Sequence, residues 1–235
     1  MGRRLPPSIL VLSPGRLSRG PAGSAEADAL RRFPAVVREL VAGGARGLLL
    51  REPNLEDGAF LQLAIELRGL IEREAPGTWL GLHDRAHLVS AAGADGVHLA
   101  GHSLGARSVR PLVGEGTAIG VSTHDGDGPE RWDGADFALH APVFSPNSKH
   151  SAGPTLGPEG LRAFCASCPL PVWALGGVAP EVMASLRGTG AAGAAAIGAI
   201  WGAGDGGTNG GLRGRVESLV AAGRATFPSG AGARL

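Results

Sequence analysis

Gly81-Leu-His-Asp-Arg85, Ala94-Asp-Gly-Val-His-Leu99 and Gly120-Val-Ser-Thr-His124 decide how this chain is read. Each is a short apolar run that ends in residues able to move protons or hold anions. Apolar strands whose polar residues collect at one end point to a parallel barrel with its chemistry on one rim.

Outward from these stretches the same alternation repeats. Ser8–Leu12 reads as a first strand. Ala25–Ala42 follows as a helix, because Leu30, Phe33, Val36, Val37, Leu40 and Val41 recur at three and four and make one apolar face. Gly43-Gly44 stops it. Strands are expected at Gly47–Leu50, Trp79–Leu82, Gly96–Leu99, Ala118–Ser122, Phe137–His140, Pro171–Leu175 and Ala192–Ile197. Between them fall helices at Glu56–Glu74, His87–Ala92, Ala106–Val113, Pro129–Trp132, Leu156–Ser167 and Pro180–Arg187. This count of strand–helix units makes a single (β/α)8 TIM barrel over residues 1–201. A Gly-rich linker (202–211), a final helix packing on the barrel (212–226) and a fraying tail (227–235) complete the expected layout. A doubly wound open sheet would want a phosphate-binding Gly turn after the first strand, and Ser13-Pro-Gly-Arg16 is not one.

Composition narrows the partners. The 235 residues carry 22 basic and 21 acidic side chains, a net charge of +1, with no long block of like charge. Neither nucleic acid nor an anionic membrane is favoured. No apolar run is long enough to span a bilayer. Met1-Gly-Arg-Arg-Leu-Pro-Pro7 has the charge of a signal peptide, but the apolar run Ile9–Leu12 is too short for one. Cys165 and Cys168 form the only Cys-x-x-Cys and lack a second ligand pair for zinc. They read as small helix residues in a reducing, cytoplasmic setting.

Four constellations could carry chemistry. Ala174-Leu-Gly-Gly-Val178, followed by Ala194-Ala-Ala-Ile-Gly-Ala199, matches the loops after the seventh and eighth barrel strands, where backbone N–H groups often cup a phosphate. Gly176, Gly177, Ile197 and Gly198 are the expected contacts, with glycine leaving room for close approach. At the third strand end, His83 and Asp84 suit acid–base work or a cation, while Arg85 reads as a structural ion pair. The seven histidines (83, 87, 98, 102, 124, 140, 150) all lie in the middle of the chain, and four of them (83, 98, 124, 140) stand at expected strand ends. Histidine is the usual proton shuttle near neutrality. His98, inside Gly-Val-His-Leu, reads as a satisfied structural residue. Lastly, Lys149 sits in the polar loop after the sixth strand, as a solvated charge or an anion clamp.

In order and spacing these pieces resemble the thiamine phosphate synthase/TenI family, over Ser8 to Trp201. The motifs that match are Leu50-Arg-Glu52, His83-Asp-Arg85, Gly93-Ala-Asp-Gly-Val-His-Leu99, Gly120-Val-Ser-Thr-His124, Pro142-Val-Phe144 with Lys149, and Ala174-Leu-Gly-Gly-Val178. The resemblance implies a barrel, often dimeric, that binds a small phosphorylated thiazole through Arg51, Ser122, Lys149, Gly176, Gly177, Ile197 and Gly198. For the synthase it implies Mg2+ on a pyrimidine diphosphate, with Asp84 as a ligand.

The departures have a direction. The family's Gln-x-Arg-x-Lys is here Leu49, Arg51 and Pro53; its Asn-Asp is His83-Asp84; its second metal-binding Asp is Ser103. Thr-x-Thr-Lys has become Pro146-Asn-Ser148-Lys149, and the Ser near the last strand is Gly198. A diphosphate with Mg2+ needs cations and a hard-oxygen cage, and both are thinned. A backbone cup for one phosphate survives. The resemblance therefore favours a TenI-like thiazole tautomerase, a proton-shift isomerase without cofactor, with His124 as its catalytic group. A Mg2+-dependent synthase and a non-catalytic thiazole-phosphate binder are the alternatives.

Overall fold

The computed structural model describes residues 2–145, 154–202 and 211–227. Its strands are β1 (Ile9–Leu12), β2 (Gly47–Leu50), β3 (Trp79–His83), β4 (Gly96–Leu99), β5 (Ala118–Thr123), β6 (Phe137–His140), β7 (Val172–Ala174) and β8 (Gly193–Ala196). All neighbours pair in parallel, and β8 returns to β1, so the sheet is a closed eight-stranded barrel. The helices are α1 (Ala25–Ala42), α2 (Asp57–Glu74), α3 (Val89–Ala92), α4 (Ala106–Val113), α5 (Pro129–Trp132), α6 (Gly157–Ser167), α7 (Pro180–Met183), α8 (Gly198–Trp201) and α9 (Gly211–Thr226). The single TIM barrel expected from the alternation is the fold.

Local chemistry explains the longest elements. Ser24 caps α1 by accepting from the Ala27 N–H, and Glu26 and Asp28 complement the positive end of the helix. Strand residues are buried on both faces, as parallel strands wrapped by helices must be. The last helix runs from Gly211 to Thr226, within one residue of the expected 212–226, and Val216, Leu219, Val220 and Thr226 bury one face. The four-residue α8 has too little periodicity to be seen in the sequence. It is fixed by Trp201, whose indole N–H donates to Leu12 O at 2.6 Å.

The lumen is filled by aromatic rings. Trp79, Phe137 and Trp173 point inward with Leu10, Leu12, Leu49, Leu139 and Ala195. Trp79 meets Phe137 edge-on at 6.1 Å, and Phe137 meets Trp173 at 5.5 Å. The positions that face these rings, on the same strand or the next, are glycines. A Cβ on Gly96 would lie 2.6 Å from Trp79, and Cβ atoms on Gly81, Gly120 and Gly193 would collide with Trp79, Phe137 and Trp173.

The N-terminal arm closes the bottom of this plug. The Trp79 indole donates to Arg4 O at 2.9 Å, the Trp173 indole donates to Pro7 O at 2.8 Å, and Leu5 is buried among the lumen residues. Asp95 and Asp136 brace the same end in parallel ways. Asp95 accepts from the Leu80 N–H and Arg68; Asp136 accepts from the Ile119 N–H and Arg110; Arg4 and Arg3 from the arm pair with them.

Glycine in the lumen is therefore a packing requirement. Gly120→Ala is expected to lower the unfolding free energy by about 1–3 kcal/mol, the usual cost of overpacking. Urea denaturation of Gly120→Ala, Phe137→Leu and the double variant checks this. The double variant should lose less than the sum of the singles.

Candidate active site

Because every strand runs the same way, their C-terminal ends share one rim. The strand ends bring His83, His98 and Ser122 together beside apolar Leu175 and Ile197, and the rim divides into two sectors.

The β7–β8–β1–β2 sector is suited to an anion. Gly176 and Gly177 have φ of +92° and +62°. The N–H groups of Gly176, Gly177 and Ile197 donate no hydrogen bond among the described residues, and those of Gly198 and Ala199 are the unbonded first turn of α8. The glycines have a second reason, different from the one read in the sequence. A Cβ on Gly176 would lie 2.8 Å from Pro142 Cα, and one on Gly177 2.6 Å from Ser145 O. The β6 and β7 loops are zipped together there, with Val143 N–H on Leu175 O (2.8 Å) and Phe144 N–H on Gly176 O (3.0 Å). At Gly198 an added Cβ meets nothing within 4 Å. Arg51 stands at the end of β2, its own N–H donating to Ser13 Oγ at 2.7 Å. Its guanidinium lies over Gly15 and makes no hydrogen bond or ion pair among the described residues. Its neighbour Glu52 is fully buried and accepts from the Gly15 and Leu17 N–H groups, which pins the β1 loop. Lys149 lies outside the described residues.

The β3–β4–β5 sector carries Asp84 and the histidines His83, His98 and His124. Asp84 follows β3 with φ +63°, in the left-handed region that few side chains adopt. Its Oδ1 accepts from the Ala100 N–H at 2.9 Å and from the Ser103 hydroxyl. Its Oδ2 lies 3.3 Å from His83 Nδ1 and 3.8 Å from His102 Nε2. Burial opposes ionisation of Asp84, but the Ala100 and Ser103 hydrogen bonds and the nearby histidines hold its carboxyl below the ordinary value. Arg85 does not neutralise Asp84. It turns away to Asp57 and Leu55 O and covers the Phe60 ring at 4.2 Å.

His83 and His98 form a tilted pair with ring centres 5.3 Å apart. Burial pushes His83 down to about 4 despite Asp84, with Arg51 adding to the shift, and pushes His98 down to about 3. Both are neutral near pH 7. His98 differs from the expectation of a satisfied residue. It is 2% exposed, its Nε2 is 3.5 Å from Ser122 Oγ, and its Nδ1 has no partner among the described residues.

His140 faces outward instead. It contacts Thr123 Oγ1 at 3.0 Å and stacks on Phe164 at 3.6 Å, a packing role. His124 stands just past β5 with its side chain 55% exposed. Its N–H donates to Asp127 Oδ2 at 2.8 Å, and its ring lies beside Gly101 of the β4 loop. Cys165 and Cys168 sit at the end of α6, where burial pushes both thiols up, Cys165 to about 11. Such thiols are poor nucleophiles and poor metal ligands.

Mg2+, which the resemblance implies for a synthase, demands near-octahedral oxygen ligands. The donor set at β3–β4 does not fit it well. Position 103, where a second carboxylate is needed, offers a hydroxyl already donated to Asp84. Among the described residues no group of three or more His, Cys, Asp or Glu could hold a metal ion. No helix is long and apolar enough to cross a membrane, among the described residues.

The fold is a parallel barrel with unbonded backbone N–H groups on one part of its rim and titratable side chains on another. Comparison with known proteins makes this specific. The family model for thiamine monophosphate synthase matches residues 24–200. A putative thiamine-phosphate synthase of Geobacter sulfurreducens is 40% identical over 172 residues, 72% of this chain and 80% of the relative. The thiamine-phosphate synthase of Moorella thermoacetica is 36% identical over 172 residues, 72% of this chain and 81% of the relative. The solved thiamine phosphate pyrophosphorylase of Pyrococcus furiosus superposes with a TM-score of 0.70 at 25% identity, covering 92% of this chain and 94% of that one. The chain belongs to the thiamine monophosphate synthase/TenI family.

Buried neutral histidines tie stability to pH. In the unfolded chain each binds a proton below its ordinary value of 6.5; in the folded protein His140 does so only below about 4 and His98 only below about 3. The unfolded state thus holds more protons in that window. Stability is full above pH 6.5 and falls as the pH drops toward 4. The slope reaches about 1.4 kcal/mol per pH unit for each such group. Urea midpoints measured down through this window should show the decline. His140→Phe, which keeps the stack on Phe164, should make the decline shallower, with His83 and His98 still contributing.

Proposed function

We propose that this chain is a TenI-like enzyme of thiamine biosynthesis that binds a phosphorylated thiazole and shifts a proton on its ring. The observation that carries this reading is the Asp84–Ser103 hydrogen bond, which occupies the carboxylate at the place where a diphosphate-bound cation would need a second acid. Two further features support it. Leu49 points into the barrel lumen rather than offering a polar group at the rim, and Pro53 stands where the family pattern has a cation.

In this mechanism the N–H groups of Gly176, Gly177, Ile197 and Gly198 receive the phosphate, with Arg51, and Lys149 from its loop, as cations. Anchoring one end of the ligand leaves its ring over the β3–β5 sector. His124 takes a proton from one ring position and returns one to another. The ligand's formula is unchanged and no metal or redox partner takes part. His83, uncharged near neutrality, contributes polarity without adding charge near Arg51. The expected setting is cytoplasmic, and a homodimer is part of the proposal.

The names of the relatives favour a second reading, a Mg2+-dependent synthase that uses Arg51 and Asp84. One experiment separates the readings. Purified protein is assayed for turnover of a thiazole carboxylate phosphate without metal, and for thiamine phosphate formation from both synthase substrates with Mg2+. Turnover in the first assay and little product in the second is the expected result; strong product in the second reverses the ranking. A thermal shift with thiazole phosphate but turnover in neither assay identifies a binder.

His124→Ala should leave thiazole phosphate affinity within about twofold and lower turnover by about 10²–10⁴, the usual contribution of a positioned proton shuttle. Calorimetric titration and steady-state kinetics on the same preparation check both halves. Full activity in this variant removes His124 from the mechanism.

A further inference from the structure

Arg131 is an arginine without a carboxylate partner among the described residues. It sits in the short helix α5, and its side chain reaches back over the ends of two strands. Nε donates to Ser122 O at 2.7 Å; Nη2 donates to Ala100 O at 2.7 Å and to Leu99 O at 3.2 Å. These carbonyls lie at the C-terminal ends of β5 and β4. A planar guanidinium can bridge two strand ends at once, which a lysine ammonium on its flexible stem cannot do with the same rigidity.

We propose that Arg131 is the positioning residue of the active rim, setting where His124 stands relative to Asp84. The proposal rests on the reading of His124 as the proton shuttle. The hydrogen bonds form a continuous path. Arg131 holds the Ala100 carbonyl, and the N–H of that same residue donates to Asp84 Oδ1 at 2.9 Å. On the other branch Arg131 holds the Ser122 carbonyl, two positions before His124. The segment between them is closed on itself. His124 N–H donates to Asp127 Oδ2, Asp127 N–H donates to His124 O at 3.2 Å, and Arg131 N–H donates to Gly128 O at 2.9 Å. The arginine at the end of this loop therefore ties down its beginning, with His124 inside the ring. Without the guanidinium, Ser122 O, Leu99 O and Ala100 O lose this shared donor, Ala100 O keeping the Ser103 N–H; the tie between the β4 and β5 ends is cut, and His124 is held by its bond to Asp127 and by the Ala141 N–H on the preceding Thr123 O.

The test uses Arg131→Ala and Arg131→Lys in the full chain, with circular dichroism and thermal unfolding to confirm that each is folded. Arg131→Ala should lower kcat for the thiazole carboxylate phosphate about 10–100-fold with KM within about twofold, as for a reactive group displaced by about 1 Å. Methylguanidinium, at a non-denaturing concentration, should restore part of kcat, and methylammonium should not. Arg131→Lys should recover little. A readout free of any activity accompanies this: the imidazole signals of His124 in NMR spectra should move in Arg131→Ala and return with methylguanidinium. Should Arg131→Ala fail to fold, Arg131→Lys carries the same comparison. A folded Arg131 variant with wild-type kcat and unmoved His124 signals overturns the proposal. Moved and rescued His124 signals, in a protein whose wild type turns over no thiazole substrate, leave Arg131 as the positioning residue and overturn the tautomerase reading instead.

Discussion

Three inward aromatic rings, each facing glycine, are the constraint on which the rest of the structure depends. Trp79, Phe137 and Trp173 occupy the middle of the barrel, and Gly81, Gly96, Gly120 and Gly193 give them space. A closed barrel of eight strands must fill its interior with side chains. Here three large rings do much of the filling, so the positions that face them must be glycine. The two indole N–H groups are satisfied by Arg4 O and Pro7 O, which draws the N-terminal arm across the lower opening. Buried polar groups need such partners, since an unmet donor costs about 1–3 kcal/mol.

That plug decides where chemistry can happen. The arm and its ion pairs to Asp95 and Asp136 cover the lower end, opposite the rim where the polar strand-end residues gather. Directly above the rings sit His98 and His83, kept neutral by burial. An uncharged floor agrees with the proposal that an anion is recognised by Arg51 and by the backbone N–H groups at the other side of the mouth. Asp84, at the β3 end, has its carboxyl held below the ordinary value by donors from the β4 loop, and joins the two loops.

Family membership and site chemistry are separable matters. The match over residues 24–200 reflects the barrel and its motifs. Function resides in a few rim positions, and one fold supports several of them. The exchange of a carboxylate for Ser103 is small in sequence terms. In the structure it converts a potential ligand pair into a hydrogen-bonded latch, and this is why the reading proposed here departs from the names of the relatives.

By itself the sequence determined the order of the eight strands and the long helices, the closure count and the rim on which polar residues gather. Apolar periodicity and glycine stops are local signals, and helices such as Ala25–Ala42 follow them directly. The tertiary structure decided what those signals do not encode. Strand ends are all alike in sequence, but the register places His98 inside the barrel and His140 against Phe164 outside it. Gly176 and Gly177 look like a phosphate loop, yet their space is also taken by the β6 loop. Arg85, adjacent to Asp84, belongs to Asp57, while Arg131 reaches the carbonyls of β4 and β5. Periodicity reports which face of an element is buried. Which long side chain reaches which partner depends on three-dimensional proximity between strands, and only closing the barrel creates it.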